Sequence, residues 1–174
     1  LAQVQRLGAE LAGTPQHARI VQIEDALRRL ASRVGKLLQL SRADSGIAIT
    51  SESADLLPIV QLVIDEYART PDAAGRILLE TGTLDRLPAR IDIDAFAIVF
   101  RNLLENALLH GEHGRPVRVR IAADRGIHVA NDGAVVTPDM LQRLTQRFVR
   151  GRTSAEGSGL GLAIAKKILD QAGG

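Results

Sequence analysis

The chain has 174 residues, 45 % hydrophobic and 24 % charged, enough for one ordinary globular domain or a small domain with an appendage. It has no cysteine, which excludes disulfides, thiolate metal sites and a cysteine nucleophile. Aromatics at 2 % offer no ladder of stacked rings, and a net charge of +2 with scattered arginines offers no basic stripe, so no nucleic-acid partner is expected.

No apolar run approaches the ~20 residues that span a bilayer, and no signal peptide is visible. The chain starts at Leu1 without a methionine and stops at Gly173-Gly174 directly after a helical pattern, so it reads as a piece of a longer protein. Residues 1–12 put Leu1, Val4, Leu7 and Leu11 on one helical stripe. Gly13-Thr14-Pro15 then breaks the helix, because Pro15 disfavours helical geometry at Thr14. Ile20, Ile23, Leu27, Leu30, Val34 and Leu37 follow in alternating steps of three and four, a heptad seam with Arg28, Arg29, Arg33 and Lys36 off it. Two helices with such faces cannot bury them alone, which predicts a hairpin that pairs with a second copy. His17 is expected in the turn between the two helices.

The remainder alternates between the two periodicities. Residues 47–50 read as a short strand, and Asp55 can cap a helix whose apolar face is Leu56, Ile59, Val60, Val63 and Tyr67. Pro58 is tolerable there in the first turn. Ile77-Leu78-Leu79-Glu80 reads as a strand, and Asp94 opens a helix that reaches about His110. Residues 117–122 and 127–130 read as strands joined by a hairpin turn at Asp124-Arg125-Gly126. Helices are expected over 140–148 and 160–172, which completes an α/β sandwich.

Three stretches carry chemistry. Asn102 and Asn106 stand four apart on one helical face, where propensity does not favour asparagine. An amide oxygen is a hard, neutral ligand, suited to a Mg²⁺ already carrying phosphate charge. Asn131-Asp132-Gly133 ends a strand in a polar turn, whose side chains can read a base. Gly157-Ser158-Gly159-Leu160-Gly161-Leu162 opens the last helix, and its glycines let the backbone approach an anion at the helix N-terminus. It is not a P-loop, which needs Gly-Lys-Ser/Thr, and no acidic residue follows at the Rossmann distance. Residues 149–156, small and basic, read as a lid, with Arg147 and Arg150 on either side of Phe148 at its base. Solvated charge is the ordinary alternative for either arginine.

The order and spacing of these stretches resemble the GHKL ATP-binding domain, and within it the sensor histidine kinases of two-component signalling. The resemblance implies an α+β fold. An N-terminal helical hairpin (1–45), half of a dimeric four-helix bundle, would precede a two-layer α/β sandwich of the GHKL (Bergerat) type (46–174), truncated at its C-terminal end. It implies ATP and Mg²⁺ as cofactors. Asn106 would bind the ion and Asn102 would lie near the phosphates. Glu105 would tune metal or water, or face solvent. His110 would line the pocket and Asn131 with Gly133 would meet adenine. Phe148 would anchor the lid, Arg147 or Arg150 would reach phosphate, and residues 157–162 would cradle it. The family's aspartate at the base is Asn131 here, and its frequent lysine is Leu109.

Transfer of the γ-phosphoryl group to a histidine and on to a response-regulator aspartate is implied, with regulator dephosphorylation as a further activity. The implied partners are a second copy and a receiver domain, and the membrane is reached only through parts outside this chain. The acceptor box is missing, since His17, His110, His113 and His128 lack its context and the chain reads as starting just after it. Two other readings stay open. A GHKL ATPase clamp of the gyrase or chaperone kind would carry a glutamate base where Asn102 stands. A non-catalytic regulatory dimer would suit the departures at Asn131 and Leu109.

Overall fold

The computed structural model describes residues 3, 6, 15–44, 46, 50, 52–147, 149 and 158–173. The expected first helix, apart from Gln3 and Arg6, and the expected strand over 47–50, apart from Thr50, lie outside them. The chain divides into two compact units, Leu1–Gln39 and Leu40–Gly174.

Helix α1 runs Pro15–Asp44. It starts earlier than the sequence suggests, because proline is tolerated in a first turn where its missing N–H has no partner to lose. His17 is therefore helical rather than in a turn. Glu24 and Arg28 pair one turn apart, and Arg42 in the last turn meets the negative end of the helix dipole. Ile23, Leu27, Leu30, Val34 and Leu37 along the seam are exposed.

In the second unit the order is β1 Ala54–Asp55, α2 Leu57–Ala68, β2 Ile77–Glu80, β3 Pro88–Ala89, α3 Ile93–His110, β4 Val117–Ile121, β5 Ile127–Asn131, α4 Pro138–Leu144 and α5 Gly161–Ala172. The sheet is ordered β2-β4-β5, with β2 parallel to β4 and β4 antiparallel to β5. Ile77, Val117 and Asn131 lie in register, as do Leu79, Val119 and Val129. Alternation along β4 buries Val117, Val119 and Ile121 and leaves Arg118 and Arg120 in solvent. On the inner face α3 packs against β4 and β5, flanked by α2 and α5. Leu104, Phe100, Val60, Val63 and Ile164 fill the core, with the Phe96 and Phe100 rings stacked at 6.0 Å. Burying each such side chain contributes about 1.5–3 kcal/mol. Leu40 and Ala43 of α1 join this core, and Gln171 Nε2 donates to the Ala43 carbonyl at 2.7 Å.

Several local expectations shift by two to four residues. Asp92, not Asp94, caps α3 by accepting from Ala95 N at 2.9 Å. Thr137 caps α4, which ends at Leu144 instead of reaching residue 148. The hairpin turn stands as expected, with Arg125 taking a φ of 67° that makes it a left-handed non-glycine.

Asp55 belongs to β1 instead of serving as the N-cap of α2. Its Oδ1 accepts from Leu57 N at 3.1 Å and from Leu87 N at 2.8 Å, so one carboxylate ties the start of α2 to the strand pair β1–β3. The Leu87 N–H holds its pKa below the ordinary 3.8, since a carboxylate that accepts backbone hydrogen bonds favours its charged form. A depressed folded-state pKa adds stability that is full above the unfolded value and is lost as pH falls through the folded one. Asp55→Ala is expected to lower the thermal midpoint at neutral pH, and the gap to the parent should narrow once pH drops below 3.8. Melting curves taken across acid pH check this; a gap that does not change with pH contradicts it.

Candidate functional site

Asn102 is the buried polar side chain of the core among the described residues, 1 % exposed. A buried amide needs partners, and its Nδ2 donates to the Ile98 carbonyl one turn back at 2.8 Å. Its Oδ1 faces the first residue of α5, where a Cβ added to Gly161 would stand 3.0 Å away. Only a residue without a side chain fits there undisturbed. The first and third motifs therefore meet, through α3 and α5, at one close contact.

No described side chain caps the start of α5, so its first N–H groups are open to an anion. Leu160 is buried and anchors the turn, Ser158 Oγ accepts from Leu160 N at 3.3 Å, and Gly159 takes a φ of 66°. Leu162 is half-buried beside them. Gly157, Phe148 and Arg150 lie outside the described residues, as does all of the expected lid but Val149.

Asn106 sits one turn along the Asn102 stripe, half-buried, and makes no side-chain hydrogen bond among the described residues. Its amide oxygen can take a cation. Glu105 and Arg101 occupy the neighbouring stripe, toward α2. Tyr67 donates to Glu105 Oε1 at 2.8 Å, and Arg101 pairs with Glu66 at 2.9 Å. Burial, and then the Glu105 charge, push the Tyr67 phenol well above its ordinary pKa, so it stays a donor. Glu105, expected to tune metal or water or to face solvent, has its carboxylate engaged by Tyr67 of α2.

At the far end of α3, His110 is exposed and its carbonyl lies 2.9 Å from where a Cβ on Gly133 would be. Asn131 closes β5 in a slot between two glycines. Its Nδ2 is 3.1 Å from a Cβ position on Gly133 and 3.5 Å from one on Gly111. Asp132 turns elsewhere, onto Arg115 at 3.2 Å and Arg118 at 3.4 Å, so of the two neighbours it is Asn131 that faces the end of α3. Gly111 escapes a reading of the sequence. Its φ of −71° is open to any residue, and what it supplies is space, which no local pattern signals.

Arg147 is held by Asp44, at 2.9 and 3.2 Å, with Lys167 3.6 Å from the same carboxylate. It is thus tied to the end of α1. Leu109, where the resembling family often has a lysine, is half exposed and apolar.

The family described as "Histidine kinase-, DNA gyrase B-, and HSP90-like ATPase" matches residues 91–174, the span that carries all three motifs. The sensor histidine kinase MtrB of Mycobacterium leprae is 33 % identical over 147 residues, 80 % of this chain. This chain belongs to the sensor histidine kinases. The sensor protein QseC of Escherichia coli K12 is 33 % identical over 175 residues, 95 % of this chain. The mycobacterial sensor histidine kinase MprB superposes with a TM-score of 0.58 at 25 % identity, covering 71 % of this chain and 81 % of its own. The chain spans 26 % of the length of MtrB and 38 % of QseC. Among the described residues no helix of this histidine kinase chain is long and apolar enough to cross a membrane.

Proposed function

We propose that this chain is the ATP-dependent phosphotransfer core of a two-component sensor, with a dimerisation hairpin over 1–45 and a catalytic ATP-binding domain over 46–174. The observation that carries the reading is the packing of Gly161 on Asn102, which brings a buried asparagine against the open N-terminus of α5. An anion held by that helix end would lie beside the Asn102 stripe, where Asn106 offers a neutral oxygen to Mg²⁺. A neutral amide suits an ion whose charge the phosphates already balance, and no cluster of three His, Cys, Asp or Glu among the described residues competes for it. The ion, when bound, would neutralise charge on the transferring phosphoryl group. Asn102 would fix the loop against the phosphates, and Asn131 would accept from the adenine amino group in its two-glycine slot. The γ-phosphoryl group would pass to a histidine and on to a receiver-domain aspartate. Membrane anchorage would come from parts of the protein outside this chain.

Asn106→Ala is expected to cut Mg-ATP affinity at least tenfold, about 1.4 kcal/mol or more, while leaving the fold intact because the side chain is half exposed. Calorimetry with and without Mg²⁺ measures it; equal Mg-ATP affinity in parent and variant would end the metal-ligand assignment.

The exposed seam from Ile23 to Leu37 supports a homodimer, since it presents five large apolar side chains on one stripe of α1. Charged residues in place of Leu27 and Leu30 should give monomers that still bind ATP. Sedimentation equilibrium checks this, and a parent chain that is monomeric at high concentration contradicts it.

A further inference from the structure

The end of β5 is held by contacts that the proposed reaction does not use. Asp132 sends its carboxylate away from the slot that holds Asn131. Its Oδ1 accepts from Arg118 Nη1 at 3.4 Å, and its Oδ2 lies 3.2 Å from Arg115 Nε. That Oδ2 atom is buried without an aligned hydrogen bond, so it meets Arg115 as an ion pair only. The main-chain oxygen of Asp132 accepts from Glu112 N at 2.7 Å and from Asn131 Nδ2 at 3.5 Å. Arg76, just before β2, stitches the same loop by donating to the carbonyls of Arg115 at 3.3 Å and Glu112 at 3.5 Å. Loop 111–116 and Asp132 therefore form one clasp around the residue next to them.

We propose that Asp132, gripped by Arg115 and Arg118, is a positioning residue that holds the Asn131 amide with Oδ1 outward and so sets a preference for adenine over guanine nucleotides. An amide has a donor end and an acceptor end, and the partner of one decides which is presented to a ligand. With Nδ2 kept on the Asp132 carbonyl, Oδ1 is left to accept from the exocyclic amino group of adenine. Guanine carries a carbonyl oxygen at that position, which only accepts and is repelled. An Asn131 amide freed to turn over would present Nδ2 and donate to that oxygen. The clasp thus supplies orientation. It supplies little stability, because Arg115 and Arg118 are 61 % and 46 % exposed and exposed ion pairs contribute little. The inference rests on Asn131 reading the base, and its test separates the two.

The test uses the whole chain and competitive displacement of a fluorescent ATP analogue by ATP and by GTP, with Mg²⁺ present. The variants are Asp132→Ala, the pair Arg115→Ala with Arg118→Ala, and Asn131→Ala. Asp132→Ala and the arginine pair should each lower the ATP-to-GTP affinity ratio several-fold, as should Asn131→Ala. Loss of folding would weaken both nucleotides alike and leave the ratio alone. If Asn131→Ala lowers the ratio while the other two, with ATP affinity retained, leave it unchanged, the clasp is overturned and the base contact survives. If Asn131→Ala itself leaves the ratio unchanged, Asn131 does not read the base and both ideas fall.

Discussion

The second unit is organised around a polar group that its core cannot hide cheaply. Asn102 is sealed between α3 and α5, and an amide buried without partners costs about 1–3 kcal/mol. Its Nδ2 is satisfied within its own helix, and its Oδ1 lies 3.0 Å from where a Cβ on Gly161 would stand. That contact fixes how closely α5 approaches α3. It therefore also fixes where the N-terminus of α5 points. Interior density does the rest, since Leu104, Ile164 and Ile168 lock the same helix pair over apolar surface.

Around α3 the polar residues are sorted by stripe. Arg101 and Glu105, four apart, face α2 and are bound there by Glu66 and Tyr67. Asn102, on the same stripe as Asn106 four residues on, meets Gly161 at the start of α5. One residue of offset along a helix is about 100° of rotation, enough to separate a structural pair from a proposed ligand pair. Glu105 and Asn106, adjacent in sequence, lie on different stripes, and Tyr67 donates to the Glu105 carboxylate on the α2 side. A similar separation ends β5, where Asn131 and Asp132 go to opposite partners as strand neighbours do.

What the sequence made legible is what depends on short-range period. The seam of α1, the alternation of β4 and β5, the hairpin at residues 124–126 and the helix carrying both asparagines all follow from patterns within a few residues. β1 and β3 were not legible, because two residues have no period. The tie from Asp55 to Leu87 and the clasp of Asp132 by Arg115 and Arg118 join positions far apart in sequence, so no local rule signals them. Of the candidate site, Asn102, Asn106, Asn131, Gly133 and Gly161 were singled out from residue type, spacing and the family resemblance, and the structure puts Asn102 on Gly161 and Asn131 beside Gly133. Arg147 shows the limit of that reasoning. A basic residue at the base of the lid suggests phosphate, and its ion pair with Asp44, 103 positions away, is one that no local rule signals.

The most direct test of this account is a double-mutant cycle between Asn102 and Gly161, read by chemical denaturation. Gly161→Ala alone forces a methyl onto a buried oxygen and should cost about 1–3 kcal/mol. Asn102→Ala alone should also destabilise, through the emptied volume. Together the two changes should cost less than their sum, with a coupling of about 0.5–3 kcal/mol, because the alanine at 102 makes room for the added methyl. Additive effects, or a Gly161→Ala chain as stable as the parent, would contradict the claim that this contact assembles the site.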